Sequence, residues 1–261
     1  GPGTLFNTTE KLMNAIRKCT RNILSGLQGT SYPIPYSEQD KMLKQYIHCA
    51  YGDEVGKEYT DKLFNIDNYI RIGAKRKLNK HFIGPSSYTL QLSNIAENEE
   101  LEGSNIPNIR ENYTVTDKAD GDRKLLYISD KGTMYMIDTN MNIIFTGILT
   151  QDKELFNTII DGEHIKYDKM GKFVNLYAAF DVYFIKGKSV RELDFAPVLK
   201  TDLPNNFRFP LLQTLIGQLK PISILDKDSG NSNPNKQNDP KDGVDKHACW
   251  LTIKCKEFYS S

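Results

Sequence analysis

The stretch Tyr113-Thr-Val-Thr-Asp-Lys118-Ala-Asp120-Gly121-Asp-Arg123-Lys-Leu-Leu-Tyr-Ile holds the pattern K-x-D-G-x-R in a predicted turn between two strands. Loops held by rigid strands are where reactive groups are presented. A lysine amine is a poor nucleophile at neutral pH, because its reference pKa is about 10.4 and bringing it near 7 takes roughly 4 to 5 kcal/mol of differential stabilisation. A neighbouring cation and partial burial supply such stabilisation. Arg123, beyond a glycine that lets the chain fold back, suits the cation, and its fork suits ribose or phosphate oxygens of the same substrate. These residue types and this spacing fit a lysine that attacks phosphorus. The alternative is a charged hairpin turn, since Asp-Gly is a favoured turn dipeptide.

Two later stretches keep company with this one. Ile159-Ile160-Asp161-Gly162-Glu163 sets two carboxylates around a glycine, and Tyr177-Ala-Ala-Phe180-Asp181-Val182-Tyr183-Phe184 sets an aromatic and an aspartate in an apolar run. Taken singly they read as a strand-end turn and a core aromatic. Their order and separation behind Lys118 favour a joint role. His81 and His164 are expected to satisfy local hydrogen bonds, and His247, Cys249 and Cys255 are too loosely spaced for a metal site.

The elements that must position these residues divide the chain in two. From Phe6 to Gln28, apolar residues from Leu12 to Leu27 recur at three- and four-residue steps, with Asn7 and Glu10 as the expected N-cap pair. A second helix is predicted from Ser37, with Met42, Leu43, Tyr46, Ile47 and Ala50 on its apolar face, and a third over Tyr59 to Asn68. Lys75, Arg76, Lys77, Lys80 and His81 then read as a solvated basic face. After Pro85 the pattern turns to β. Strands are predicted at Tyr113–Val115, Lys124–Ser129, Thr133–Asp138, Asn142–Thr146 and Val174–Ile185, with turns at Asp130-Lys131-Gly132, Thr139-Asn140 and Lys186-Gly187. Short helices are expected at Asp152–Thr158 and Pro210–Leu219, a polar loop at Asp226–Asp245, and a last strand at Trp250–Ile253.

Composition sets limits on the function. The 261 residues carry 34 Lys+Arg against 33 Asp+Glu, a net charge of +1, so any nucleic-acid surface must come from local clustering. With 39% hydrophobic residues, no long apolar run and no signal-peptide pattern, neither a membrane span nor export is expected. Four scattered cysteines point to a reducing, intracellular setting. Gly1-Pro2-Gly3 reads as a protease scar, so the natural chain is expected to extend further.

With Lys118 in the first motif, Asp161-Gly162-Glu163 in the third and Phe180-Asp181 in the next, the chain resembles the covalent nucleotidyltransferase superfamily of mRNA capping guanylyltransferases and polynucleotide ligases. The wording T-D-K-A-D-G-x-R is most similar to the capping enzymes of large nucleocytoplasmic DNA viruses, of the mimivirus and asfarvirus kind. The resemblance implies an α+β fold, an antiparallel-sheet nucleotidyltransferase domain over residues 85–261 behind a helical segment over 4–84. It also implies that Lys118 attacks the α-phosphorus of GTP and that the lysyl-N-GMP intermediate passes GMP to the 5′-diphosphate end of RNA. Arg123 and Glu163 are then expected on the ribose, Phe180 stacked on guanine, and Thr116 and Asp117 beside the base. A Mg²⁺ or Mn²⁺ ion accompanies the triphosphate, with Asp120 and Glu163 as candidate ligands.

Two family elements are not convincingly found, an apolar-flanked D-G and a strand-borne K-x-K. Asp242-Gly243-Val244 and Lys254-Cys255-Lys256 read as chance matches, so the domain is expected to be C-terminally incomplete. No Arg-containing motif between the first and third is visible either. By resemblance the helical segment is a linker or the tail of a preceding triphosphatase domain, with a methyltransferase elsewhere in the same viral chain, and the setting is a viral factory in the host cytoplasm or the virion. Two alternatives stay open: an ATP-dependent DNA or RNA ligase, and a degenerate transferase fold acting as a binding module.

Overall fold

The computed structural model describes residues 8–64, 79–96, 108–110, 113–197, 204–224 and 251–260. Three helices come first: α1 (Thr9–Gln28), α2 (Tyr36–Tyr51) and α3 (Asp53–Leu63). Thr8, rather than Asn7, caps α1, its hydroxyl accepting from the Lys11 amide at 3.2 Å. Pro35 sets the entry to α2, one residue ahead of the expected start. Helix α3 starts six residues earlier than expected, because Gly52 lets the chain turn sharply and Asp53 and Glu54 suit a first helical turn. The end predicted for that helix lies outside the described residues, as do Lys75, Arg76 and Lys77.

One eight-stranded sheet follows. Its strands are β2 (Asp122–Ile128), β3 (Thr133–Asp138), β4 (Ile143–Leu149), β5 (Thr158–Tyr167), β6 (Phe173–Ile185), β7 (Lys188–Ser189), β8 (Ile222–Ser223) and β9 (Thr252–Cys255). The order is β7-β6-β5-β2-β3-β4-β8, all antiparallel, and β9 adds to β6 in parallel. A separate two-stranded ladder joins β1 (Thr114–Val115) to β10 (Tyr259–Ser260). The predicted turns fall where expected. Gly132 has φ +77°, and Lys186 and Gly187 are both at positive φ, as a two-residue hairpin of primed type requires. The short helix expected at Asp152–Thr158 is a single 3₁₀ turn, Lys153–Leu155, and Pro210–Leu219 falls within α4 (Arg208–Gln218).

Both faces of the sheet are covered, which explains why its strands read as nearly continuous apolar runs. On one face Leu125, Tyr127, Ile137, Ile159 and Tyr183 pack against Met42, Leu43, Tyr46, Ile47 and Ala50 of α2. On the other, Leu126, Ile128, Ile160, Tyr177 and Val182 pack against Leu212 and Leu215 of α4. The apolar face predicted for α2 is therefore the one that is buried. Helix α1 differs, for it buries no residue, and Leu12, Met13, Ile16, Ile23 and Leu27 of its stripe are exposed. The basic run is not uniformly solvated either. His81 is buried, edge-on to the rings of Tyr51 and Tyr59, and among the described residues its Nε2 has no hydrogen-bond partner. His164 does make a hydrogen bond, at 2.8 Å to Asn175. Among the described residues no helix is long and apolar enough to cross a membrane.

Candidate active site

The loop between β1 and β2 presents Lys118, and it is held at three points. The β1–β10 ladder pairs Val115 with Tyr259, the Thr116 hydroxyl donates to the Glu257 carbonyl at 2.7 Å, and the Gly121 amide donates to Glu163 Oε1 at 3.3 Å. A side chain at Gly121 would meet the His164 carbonyl at 2.8 Å and the Ile165 side chain at 2.9 Å, so this glycine is dictated by close approach. Between these anchors Lys118 stands in solvent. Its Nζ lies 3.1 Å from Asp120 Oδ1, and the two side chains are 86% and 83% exposed.

Five residues on, Arg123 is fixed. Its Nε and Nη2 donate to the two oxygens of Asp161, at 3.2 and 2.5 Å, and Nη1 donates to the Pro85 carbonyl. Asp161 is fully buried in the middle of β5, not at a strand-end turn, and also accepts from the Tyr183 hydroxyl at 2.6 Å. Burial pushes the Asp161 carboxyl up, against the lowering pull of Arg123 and Tyr183. Burial of Arg123 disfavours its charge, but the Asp161 pair outweighs that and holds its pKa above the ordinary value. The guanidinium carbon lies 5.4 Å from the centre of the Phe82 ring and 5.8 Å from that of Phe180.

Phe180 is half-buried and owes its place to a bulge. Asp161 pairs with Asp181 and Gly162 with Ala179, leaving Phe180 without an opposite number on β5. Gly162 is itself required, since a Cβ there would sit 2.5 Å from the buried Tyr177 ring. Asp181 turns to α4, gripped by Arg208 at 2.9 and 3.1 Å.

The register lines up four residues across the sheet. Arg123 is opposite Glu163, Glu163 opposite Ala178, and Ala178 opposite Lys254. Because Cys255 packs with the α4-side core, the alternation of β9 turns Lys254 to the Arg123 face. Lys256 extends the same pairing, its amide donating to the Ala179 carbonyl at 2.7 Å. The K-x-K expected to be a chance match thus lies on a strand of the sheet, beside the strand that carries Phe180. Distance in sequence had hidden this, as β9 reaches β6 only through a parallel pairing. Asp242-Gly243-Val244, His247 and Cys249 lie outside the described residues.

The structure places Arg123, Glu163 and Phe180 on one sheet face, and the loop that carries Lys118 and Asp120 is tied to Glu163 through the Gly121 amide. Thr116 and Asp117 sit on the β10 side of the loop, where the charge of Asp117 acts on the Tyr259 hydroxyl. Sequence reasoning gave no role to Asp161, Tyr183, Phe82 or Pro85. Tyr183 could have been found, lying two residues from Asp181 on an alternating strand. Phe82 and Pro85, in a separate segment, carried no such signal. Among the described residues no group of three or more His, Cys, Asp or Glu could hold a metal ion. Asp120 and Glu163, flanking Gly121, fit at most a cation carried chiefly by its ligand's own oxygens.

Comparison with known proteins gives a likeness in sequence. The family described as mRNA capping enzyme, catalytic domain, matches residues 100–207. A probable mRNA-capping enzyme of Acanthamoeba polyphaga mimivirus is 28% identical over 179 residues, which are 65% of this chain and 13% of that protein. The chain thus spans only a small part of its relative's length. In sequence and in fold, an α+β antiparallel-sheet domain behind a helical segment, the chain is similar to the catalytic domain of mRNA capping enzymes.

Proposed function

We propose that the chain is an mRNA guanylyltransferase with Lys118 as nucleophile. The observation that carries this reading is the register row Arg123–Glu163–Ala178–Lys254 beside an exposed lysine on an anchored loop. Glu163 accepts from ribose hydroxyls, the N–H groups of Arg123 not used by Asp161 and Pro85 donate to ribose or phosphate, and Phe180 stacks on guanine. Thr116 and Asp117 lie beside the base, and Lys254 and Lys256 face the phosphates.

In the first step the unprotonated Lys118 amine attacks the α-phosphorus, a P–N bond forms, and the bond to the bridging oxygen breaks as pyrophosphate leaves with its electron pair. The amine sheds a proton to solvent, for which its exposure allows. In the second step a terminal oxygen of 5′-diphosphate RNA attacks the same phosphorus and the P–N bond breaks, returning the amine. A Mg²⁺ or Mn²⁺ ion, when bound with the triphosphate, would supply charge neutralisation there, and Asp120 or Glu163 would be the residues to hold it.

Because the matched region is so small a part of the mimivirus relative, we infer that triphosphatase and methyltransferase activities reside elsewhere in a longer viral chain working in the host cytoplasm, in a viral factory or in the virion. The test is incubation with α-labelled GTP or ATP and Mg²⁺. An acid-labile, alkali-stable label from GTP, absent in Lys118→Ala, is expected. Label from ATP alone would make the chain a ligase, and nucleotide binding without label would make it a binding module.

A further inference from the structure

The segment between the helices and the sheet reaches into this site, although the sequence assigns it nothing. Tyr46 of α2, fully buried, donates its hydroxyl to the His81 carbonyl at 2.8 Å and accepts from the Ile83 amide at 3.3 Å. Two hydrogen bonds to one side chain thus fix the backbone of residues 81–83 on the helix. The next residues close on Arg123. The Phe82 ring lies over its guanidinium, as Phe180 also does, and the Pro85 carbonyl accepts from Nη1. Gly84 is pressed against the same group, since a Cβ there would stand 2.5 Å from Arg123 Nη2 and 2.7 Å from the Phe82 ring. Asp161 holds Nε and Nη2, the Tyr183 hydroxyl also interacts with the guanidinium, and one N–H on each terminal nitrogen is not taken by Asp161 or Pro85.

We propose that residues 81–85 are a strap belonging to the nucleotide site, and that Phe82 and Gly84 are positioning residues that aim these N–H groups of Arg123 at the nucleotide. The helical segment then does more than brace the sheet: through Tyr46 it sets the geometry of a substrate contact. This rests on the guanylyltransferase reading for its substrate, but the hold on Arg123 is independent of it.

The experiment takes the whole chain as wild type, Gly84→Ala, Phe82→Ala and Phe82→Tyr. A methyl group at Gly84 collides with side-chain atoms, the guanidinium and the Phe82 ring, so Arg123 swings away and the backbone stays. In the labelling assay Gly84→Ala and Phe82→Ala are expected to raise the KM for GTP tenfold or more and to leave the saturating rate within about threefold, since Lys118 sits on another loop. Phe82→Tyr is expected to restore the wild-type KM. In parallel, phenylglyoxal modification of Arg123, read by peptide mass spectrometry, is expected to be slow in wild type and Phe82→Tyr and at least fivefold faster in the other two. An unchanged KM together with unchanged Arg123 reactivity would overturn the strap, and so would an equal fall in rate and thermal stability that Phe82→Tyr does not rescue. If wild type takes no label from GTP, the guanylyltransferase reading fails by itself, and the arginine reactivities still decide the strap.

Discussion

Two ion pairs in one short motif have opposite characters. Lys118 and Asp120 meet at 3.1 Å with both side chains almost wholly in solvent, whereas Arg123 and Asp161 meet at 2.5 Å with the carboxylate fully buried and the guanidinium 29% exposed. Exposed pairs of the first kind contribute little, because water screens the attraction and two long side chains must be ordered to make it. The second kind is costly to break, since either partner alone is left as an uncompensated charge away from water. The chain therefore builds a rigid platform at Arg123 and leaves Lys118 in solvent beside a carboxylate, without, among the described residues, the partial burial and neighbouring cation expected for it from the sequence.

The contrast can be broken at its rigid end first. Asp161→Ala leaves the Arg123 charge and the Tyr183 hydroxyl without their partner, and should cost about 3 kcal/mol in urea denaturation. A loss below about 1 kcal/mol would mean that the platform is not held by this pair. Gly162→Ala forces a methyl group onto the Tyr177 ring, whose hydroxyl is bound to the carbonyls of Lys124 and Ile160 at 2.8 and 3.0 Å. It should cost about 1–3 kcal/mol, measured in the same way.

Acid should act next, through the histidines. Burial depresses the pKa of both His81 and His164, so the folded chain binds fewer protons there than the unfolded chain. Stability from these groups is complete above the ordinary histidine value of about 6.5 and is lost as pH falls below it toward the folded values. His81→Phe should flatten the melting temperature against pH over that interval, and an unchanged slope would show that His81 does not titrate with unfolding. The smallest effect belongs to the loose end. Asp120→Asn should change stability by less than about 1 kcal/mol, and a cycle with Lys118→Ala should find coupling far below that of the Arg123–Asp161 pair.

Much of the fold could be read from the chain because its signals are local. The apolar spacing of α2, the continuous apolar runs of β2 and β3 and the Gly-containing turns each specify their own structure. Helix α1 also forms as expected, but its spacing could not say that the stripe stays exposed, since burial depends on what faces it. The site was half legible. Lys118, Asp120, Arg123, Glu163 and Phe180 could be singled out from one dimension, and of these Arg123, Glu163 and Phe180 meet on one sheet face. Asp161 was visible as part of a motif without its role, which comes from a cross-strand pairing with Arg123. Lys254 was seen in its K-x-K and read as a chance match, since its parallel pairing with β6 cannot be read from spacing, while Phe82 and Gly84 lie in a segment whose own sequence carries no trace of where it docks.

The central claim is that the loose lysine, and no other, takes the nucleotide. Wild-type chain incubated with GTP and Mg²⁺, digested under alkaline conditions and analysed by peptide mass spectrometry, should carry GMP on Lys118 alone. GMP on Lys124, Lys254 or Lys256 instead, or on no lysine at all, would contradict the account.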